Sequence, residues 1–251
     1  MKIFLLMLQF FTRLPLPQSR TVDPADFPRG VWSFPLVGLV IGVFNALIFW
    51  VLSFGLEKRL VIILTLLFNL LITGALHLDG LADTCDGVFS ARTKERMLEI
   101  MKDSRIGTNG AIAVFFDLAL KTVLLDQLNA PAIIRAWLVV PVVARTAMIF
   151  LMSTCPAARP EGKGLGNLFI GKVKPESIII AVFLCLIIVT SIIRFQVLAV
   201  AALNLLGLVG YRWLILGKLG GMTGDTLGAF VEVSAVVTLM TMVLLEKMVS
   251  I

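Results

Sequence analysis

The sequence predicts an all-α, polytopic membrane protein: a helical bundle of about six to seven transmembrane helices with a short N-terminal interfacial helix. Three observations predict this class. The 251 residues are 59% hydrophobic and 15% charged, whereas soluble domains are about 45–50% apolar and about 25% charged. Seven apolar runs approach the roughly 20 residues that cross the hydrocarbon of a bilayer. Basic residues are concentrated between alternate runs, as the positive-inside rule requires of a multi-span protein.

The apolar runs define the order of the elements. Residues 3–11 are apolar but end at Arg13 and two prolines without a small-residue cleavage site, so we expect an interfacial helix rather than a cleaved signal. The candidate spans that follow are 34–56, 60–78, 110–128, 132–154, 177–193, 196–216 and 227–245. The run 177–193 is short for a full crossing. We expect one integral membrane domain over residues 1–251.

The distribution of basic residues predicts the orientation. If the N-terminus is cytoplasmic and all seven runs cross, fifteen Lys and Arg residues fall on the cytoplasmic side and four on the other. This orientation places the polar stretches 79–109, 155–176 and 217–226 on the cytoplasmic face of the cell membrane. It also accounts for the net charge of +6, which therefore gives no reason to expect nucleic acid as a partner.

The stretch HLDGLADTCDG, residues 77–87, contains three carboxylates directly after an apolar run. Asp79, Asp83 and Asp86 are spaced i, i+4, i+7, so on a continuous helix they lie within an arc of roughly 60°. A solvated helix end could tolerate this repulsion. Ionisable groups next to an apolar span are costly and usually functional, however, and grouped carboxylate oxygens suit Mg²⁺. The sequence therefore favours a magnesium site here.

Two further residues of this stretch have less specific interpretations. His77 is the only histidine of the chain, and it could be a general base, a partner of a metal ligand or an interfacial side chain. Cys85 lies among the acids, but thiolates suit softer metals than Mg²⁺, so we expect it to pack. The three cysteines are scattered, without a CxxC pair, and indicate neither a disulfide framework nor a thiolate metal site.

Three other polar stretches fall on the same predicted face and combine cations with glycines. MKDSRIGTNG supplies Lys102 and Arg105, with two glycines before the next span, and KLGGMTGDTLGAF supplies Gly224 and Asp225. ARPEGKGLGN adds Arg159 and Lys163 in a third basic loop. Helix starts and Arg forks bind phosphate. Acids for a metal together with donors for phosphate predict a site that handles a diphosphate.

Charged residues also occur inside the predicted spans. Asp117 and Lys121 are spaced i, i+4 and could form a pair across one helical turn. Arg135 and Arg145 are ten residues apart and face the same side of their helix. These residues either hold helices together or line a polar cavity that admits substrate. For the second role Arg145 is the better candidate, because it is nearer the cytoplasmic end.

The motifs together resemble the cobalamin synthase family, the adenosylcobinamide-GDP ribazoletransferases. The resemblance is carried by HLDGLADTCDG, MKDSRIGTNG and GGMTGD, and also by FFTRLPLP and FPLVGLVIG near the start. It implies a membrane enzyme that requires Mg²⁺ and joins adenosylcobinamide-GDP to α-ribazole or its 5′-phosphate. The reaction releases GMP in the last steps of cobalamin biosynthesis. Within this resemblance, Asp79, Asp83 and Asp86 match the family's acidic motif. The second block is matched by Lys102, Asp103, Ser104 and Arg105, and the third by Gly224 and Asp225.

The resemblance suggests a role for each of these groups. The three acids of HLDGLADTCDG would hold Mg²⁺ against the diphosphate, and Lys102 and Arg105 would stabilise the leaving phosphate. The base that deprotonates the ribose hydroxyl is left open among Asp86, Asp225 and His77. For the assembly, both a monomer and a homo-oligomer are left open.

Three other protein classes share some of these features. DxxDGxxxAR, read from Asp83 to Arg92, is one residue longer than the motif of CDP-alcohol phosphotransferases, and the second half of that motif is absent. A prenyltransferase would need a second Asp-rich motif. A transporter would place its ion site at mid-membrane, whereas the densest polar chemistry here lies at one face.

Overall fold

The computed structural model describes residues 2–16, 23–159 and 164–249. Within these ranges the chain is helical, and its one β-type contact is an isolated bridge between Ala157 and Met222. The predicted all-α class is confirmed. Lys163, expected in a basic loop, lies outside the described residues. The helices are α1 Lys2–Phe11, α2 Asp26–Gly30, α3 Phe34–Leu52, α4 Lys58–Thr73, α5 Leu76–Val88, α6 Lys94–Ile100, α7 Thr108–Asp126, α8 Ala130–Thr154, α9 Pro175–Ile193, α10 Val197–Leu219 and α11 Gly224–Val249.

Five helical stretches of the described chain are long and apolar enough to cross a membrane, or six if α4 and α5 together form one broken span. One of the five, Pro175–Leu219, contains 45 residues, about twice what one crossing needs. It is divided at Arg194, whose φ of +52° is unusual for a residue with a side chain. Two apolar clusters show that the stretch turns back there.

The first cluster lies beside the loops and contains Phe34, Met97 and Met222, and the second lies at the opposite end of the bundle and contains Phe49, Leu125 and Met242. Helix α9 runs from the first cluster into the second, and α10 returns to the first. Helices α3, α8 and α11 likewise connect the two clusters, whereas α4 and α7 run between the second cluster and a smaller one that contains Leu78, Leu81 and Ala229. All three predicted polar stretches therefore begin at one face of the bundle, which we call the loop face.

The chain bends sharply where the sequence predicted one continuous span over residues 60–78. Helix α4 ends at Thr73, and α5 starts at Leu76 at an angle of 89° to it. Gly74 and Ala75 both have a positive φ, of +62° and +55°, which ends a right-handed helix. The acidic stretch therefore lies on a separate helix and does not continue the apolar span, so the predicted boundary was wrong.

The N-terminal segment packs against this bend. The predicted helix over residues 3–11 is confirmed as α1, which buries Met7, Leu8 and Phe11 against the bundle. After α1, the amide of Arg13 donates to the carbonyl of Ile72, and the Arg13 side chain covers Gly74. A β-carbon on Gly74 would lie 2.4 Å from Nε of Arg13, so glycine leaves room for this contact and adopts the positive φ without strain.

Candidate active site

A pocket of about 450 Å³ opens among the loops. Its charged side chains come from four separate segments: Asp79 from α5, Lys102 after α6, Arg159 after α8, and Asp225 from α11. Its apolar wall contains aromatic and methionine side chains, namely Phe10, Phe11, Met148, Met152 and Phe169. The pocket thus combines acidic and basic groups with an apolar surface.

Close contact between α5 and α11 brings the acids of the two helices together. A β-carbon on Gly80 would lie 2.7 Å from the carbonyl oxygen of Asp225, and one on Gly228 would lie 3.3 Å from Cα of His77. Both glycines therefore let the two backbones approach where larger residues would separate them. As a result, Asp79 and Asp225 line the same pocket although 146 residues separate them in sequence.

The start of α11 is held by reciprocal threonine contacts. The amide of Thr226 donates to Oγ1 of Thr223 over 3.1 Å, and the amide of Thr223 donates to Oγ1 of Thr226 over 2.8 Å. This is the logic of a capping box, with Thr in place of the usual Glu. The Thr223 hydroxyl also donates to Asp225 over 3.3 Å. The turn before α11 thus orients the carboxylate of Asp225 in the pocket.

The predicted metal ligands share one helix, as the spacing required, because α5 runs through Asp79, Asp83 and Asp86. Asp83 is close enough to Asp79, Asp86 and Asp225 to interact with all of them electrostatically. Nevertheless, among the described residues no group of three or more His, Cys, Asp or Glu is arranged to hold a metal. Two carboxylates one turn apart are sufficient for Mg²⁺ when substrate phosphates and water complete its shell, so the donor set fits an ion bound together with a diphosphate.

Asp86 has a different environment from the other two acids. Its Oδ2 accepts from the amide of Gly107 over 2.7 Å, and its Oδ1 accepts from the amide of Gly110 over 2.8 Å. These amides belong to the N-cap and N3 positions of α7, whose partners usually come from the helix itself. Asp86 therefore caps α7 from a neighbouring helix.

The two glycines of MKDSRIGTNG make room for this cap. A β-carbon on Gly107 or Gly110 would lie 2.5 or 2.4 Å from an oxygen of Asp86. The close approach that these glycines allow is made by the carboxylate of Asp86. The anion that the start of α7 attracts belongs to the protein itself.

The two cations of MKDSRIGTNG, Lys102 and Arg105, have different environments. Lys102 lines the pocket, whereas the Arg105 side chain is 87% exposed and pairs with Asp103, with Nη2 and Oδ2 2.6 Å apart. Hydrogen bonds from the Arg105 side chain and backbone lower the pKa of the Asp103 carboxyl to about 2. The structure therefore brings Lys102 to the pocket and leaves Arg105 outside it.

Arg159, predicted only as one of two cations in a basic loop and given no role in the site, lines the pocket. Its Nη2 donates to the carbonyl of Leu98, its buried Nε has no partner among the described residues, and it interacts electrostatically with Asp83 and Asp225. The only sequence signal was its position as the first cation of ARPEGKGLGN, where the neighbouring Lys163 was an equal candidate. Distance along the chain gave no reason to place it beside α5.

The charged residues of the spans lie outside the pocket. Lys121 pairs with Asp117 at 2.6 Å, as the spacing predicted, and also with Glu232 of α11, which sequence reasoning missed. Arg145 is buried and lies behind the pocket wall, with its guanidinium 5.8 Å from the ring centre of Phe11. Arg135 pairs with Glu246, with Nη2 and Oε2 3.6 Å apart. These contacts join α7, α8 and α11.

Comparison with known proteins identifies the family. A family model described as cobalamin-5-phosphate synthase matches residues 3–243. The chain is 48% identical to an adenosylcobinamide-GDP ribazoletransferase of Clostridium novyi (strain NT), over 96% of each chain. It is 39% identical to proteins of the same name from Escherichia coli (strain K12 / DH10B) and Clostridium botulinum (strain Loch Maree / Type A3), over 96% of this chain and 99% and 97% of theirs. No solved structure matches. The chain therefore belongs to the cobalamin-5-phosphate synthase family.

Proposed function

We propose that this protein transfers the cobinamide phosphate of adenosylcobinamide-GDP to α-ribazole or α-ribazole 5′-phosphate and releases GMP. Family membership and the printed names of the relatives support this reaction. The observation that carries it here is the pocket itself, where acidic and basic side chains from four distant segments face one space beside an aromatic wall. Such a pocket can hold a charged diphosphate and a large apolar group at the same time.

In the proposed reaction, a ribose hydroxyl oxygen attacks the cobinamide-side phosphorus, and the bond from that phosphorus to the oxygen of GMP breaks. Phosphoryl transfer of this kind depends on positioning and charge neutralisation. Lys102 and Arg159 line the pocket and are suited to hold the diphosphate and to stabilise charge on the departing GMP. The amides at the start of α11, beside Gly224, add further donors for phosphate oxygens.

Asp79 and Asp83 lie one turn apart on α5, and we propose that they hold Mg²⁺ together with oxygens of the diphosphate. Bound there, Mg²⁺ would neutralise charge on the reacting phosphates and fix their orientation. Asp86 is assigned a positioning role, because both of its oxygens already accept from amides of α7.

Asp225 is the group we propose to accept the proton of the attacking hydroxyl. It lines the pocket, and Thr223 orients its carboxylate. Of the other predicted candidates, Asp86 is held by α7, and His77 lies at the inner end of the pocket. The proton leaves the hydroxyl as the new oxygen–phosphorus bond forms, and GMP takes the electrons of the bond that breaks.

The loop face is proposed to be the cytoplasmic face of the cell membrane. Four basic residues, Lys58, Arg59, Arg194 and Lys247, lie at the opposite end of the bundle, whereas the excess of Lys and Arg is near the loops. The positive-inside rule places such an excess in the cytoplasm. Nucleotide substrates would then reach the pocket from the side on which they are made.

The experiment that tests this function uses the purified full chain in detergent with Mg²⁺, adenosylcobinamide-GDP and α-ribazole 5′-phosphate. GMP and the joined corrinoid are quantified together by chromatography. We expect the two products in equal amounts. Release of GMP only in the presence of a lipid or prenyl acceptor would contradict the proposed function.

A further inference from the structure

A second cavity of about 60 Å³ lies deeper in the bundle than the pocket. Helices α3, α4, α7, α8 and α11 contribute to its wall. Of the residues that the structure describes, His77 alone lines both spaces. The wall of the inner cavity is part apolar and part polar, and besides His77 its polar part contains Asn45, Asn69, Thr73, Lys121, Arg145 and Glu232.

Unpartnered polar atoms are concentrated around this cavity. Among the described residues, six buried side-chain nitrogen or oxygen atoms have no hydrogen-bond partner. Four of these belong to side chains that line the inner cavity, and each of the four side chains is at most 6% exposed. They are Oδ1 of Asn45, Nε2 of His77, Nε1 of Trp137 and Nε of Arg145. Buried polar atoms normally have partners, so four of them around one space indicate a ligand in that space.

The mixture of donors and acceptors selects the class of ligand. Nε1 of Trp137 and Nε of Arg145 can only donate, whereas Oδ1 of Asn45 can only accept. An anion would satisfy the two donors alone, and a cation would satisfy the acceptor alone. Charge gives neither ion an advantage, because Lys121 and Arg145 are balanced by the acids Asp117 and Glu232. Water both donates and accepts, and 60 Å³ accommodates two to four molecules at about 15–30 Å³ each.

We infer that the inner cavity is a binding site for a cluster of water molecules, and that His77 separates this water from the substrate pocket. The second half of this inference rests on the proposed function. In a diphosphate-using transferase, water that reaches the reacting phosphorus competes with the acceptor hydroxyl. Its oxygen would attack the cobinamide-side phosphorus, the bond to GMP would break, and cobinamide phosphate, GMP and a proton would result.

The water site is tested without substrate by radiolytic labelling of the full chain in detergent. X-rays convert water into hydroxyl radicals, which modify the side chains next to bound water. Trp137 lines the inner cavity, whereas Met242 has the same 6% exposure but lines neither space. With each rate divided by that of the same residue in the unfolded chain, we expect Trp137 to be labelled several-fold faster than Met242. Equal normalised rates would overturn the water site.

A variant identifies which space supplies the radicals. Asn45→Leu replaces a polar wall with an apolar side chain and should bring labelling of Trp137 down to the level of Met242. Labelling of Trp137 that persists in a folded Asn45→Leu protein would contradict a water site in this cavity.

The separating role of His77 is tested by the partition between hydrolysis and transfer. His77→Ala shortens the side chain and connects the two spaces, whereas His77→Gln retains a side chain of similar length. We expect GMP released without joined corrinoid to rise several-fold in His77→Ala and to stay near the wild-type level in His77→Gln. If transfer and hydrolysis fall together in a folded His77→Ala protein, His77 does not separate the spaces. Failure of the proposed function would instead appear as absence of GMP from the wild-type chain, and it would leave the labelling result unchanged.

Discussion

Asp79, Asp83 and Asp86 lie on one helix, yet their carboxylates have different neighbours. Asp79 lines the pocket, Asp83 lies within the electrostatic field of three other acids, and Asp86 accepts two backbone amides of α7. The sequence predicted that the three would share one face of a helix, and this is confirmed. Their separate roles depend on which helix packs beside each side chain. The identity of three aspartates in sequence does not predict these packing neighbours.

Replacing Asp86 tests its role as a cap. Asp86→Ala leaves two amides of α7 without an acceptor, and loss of such a cap costs about 1–2 kcal/mol. Asp86→Asn retains only one of the two acceptor oxygens, so we expect the Asp86→Asn protein to be destabilised as well. Thermal unfolding in detergent gives the stability, and hydrogen exchange at Gly107 and Gly110 locates the effect. Asp126→Asn, a surface residue at the far end of α7 that pairs with Arg59, serves as the control. Unchanged exchange at both glycines in Asp86→Ala would exclude the cap.

Lys102 and Arg105 provide a matched pair of cations within three residues. Lys102→Gln removes a charge that lines the pocket, and loss of one such contact with a transferring phosphate costs about 10²–10³ in turnover. Arg105→Gln removes a charge that pairs with Asp103 in solvent, so we expect near-normal turnover. A similar loss of GMP release in both variants would show that Arg105 moves into the pocket when substrate binds.

The Arg105 variant has an independent readout in the titration of Asp103. The pKa of this carboxyl is held at about 2 by hydrogen bonds from Arg105. A depressed pKa means that the pair stabilises the fold above the unfolded pKa of about 3.9 and that this contribution is lost as the pH falls towards 2. Arg105→Gln should therefore raise the Asp103 midpoint observed by carbon NMR, while activity near neutral pH stays unaffected by this pair.

At the scale of helices, apolar length predicted most of the bundle. The runs 132–154 and 177–193 correspond to Ala130–Thr154 and Pro175–Ile193 within two residues at each end, because helices in lipid must satisfy their own backbone bonds over the full crossing. The bend between α4 and α5 was missed. Ala75 has a φ of +55°, but alanine favours helix in every local scale, so packing against the Arg13 segment overrides its preference.

Contact between α5 and α11 could not be predicted either, because Gly80 and Gly228 have the same appearance in sequence as any glycine of a membrane helix. The contact gives a direct test at this scale. Gly80→Ala places a methyl group 2.7 Å from the carbonyl of Asp225, so α5 and α11 must separate and carry Asp79 away from Asp225. We expect a marked loss of turnover and a higher requirement for Mg²⁺.

The control for Gly80→Ala is Gly210→Ala on α10, where a β-carbon would meet nothing within 4 Å. Alanine at such an open helical position is favoured over glycine by up to about 1 kcal/mol. Gly210→Ala should therefore fold at least as well as the wild type and keep its turnover. Equal activity of the two variants would show that close contact between α5 and α11 is not needed.

At the scale of the whole molecule, the polar stretches collect at one face because the long helices alternate in direction, and five of those described (α3, α8, α9, α10 and α11) run between the two apolar clusters. The sequence predicted this arrangement from the distribution of basic residues. The sequence could not predict which buried charged residues of different helices form pairs. Glu232 joins Lys121 from a helix 111 residues away, and no spacing rule connects positions so distant in the chain.

Cysteine labelling in intact cells tests the orientation of the bundle. After Cys85, Cys155 and Cys185 are replaced by alanine, single cysteines at positions 92 and 55 report on the loop face and on the opposite end. We expect an impermeant thiol reagent to label Gly55→Cys in intact cells and Arg92→Cys only after the cells are opened. Labelling of Arg92→Cys from outside would reverse the proposed orientation and place the pocket on the outer side.

The central claim, that the acidic side of the pocket performs phosphoryl transfer, is tested most directly by the turnover of Asp79→Asn across a Mg²⁺ titration. The substitution keeps the size of the side chain and removes one negative oxygen from the pocket. Loss of charge stabilisation at a transferring phosphate should lower GMP release by roughly a thousandfold, or about 4 kcal/mol, and should shift the Mg²⁺ requirement upward. Asp126→Asn, at the opposite end of the bundle, should behave as wild type. A folded Asp79→Asn protein with normal turnover and an unchanged Mg²⁺ requirement would contradict the account.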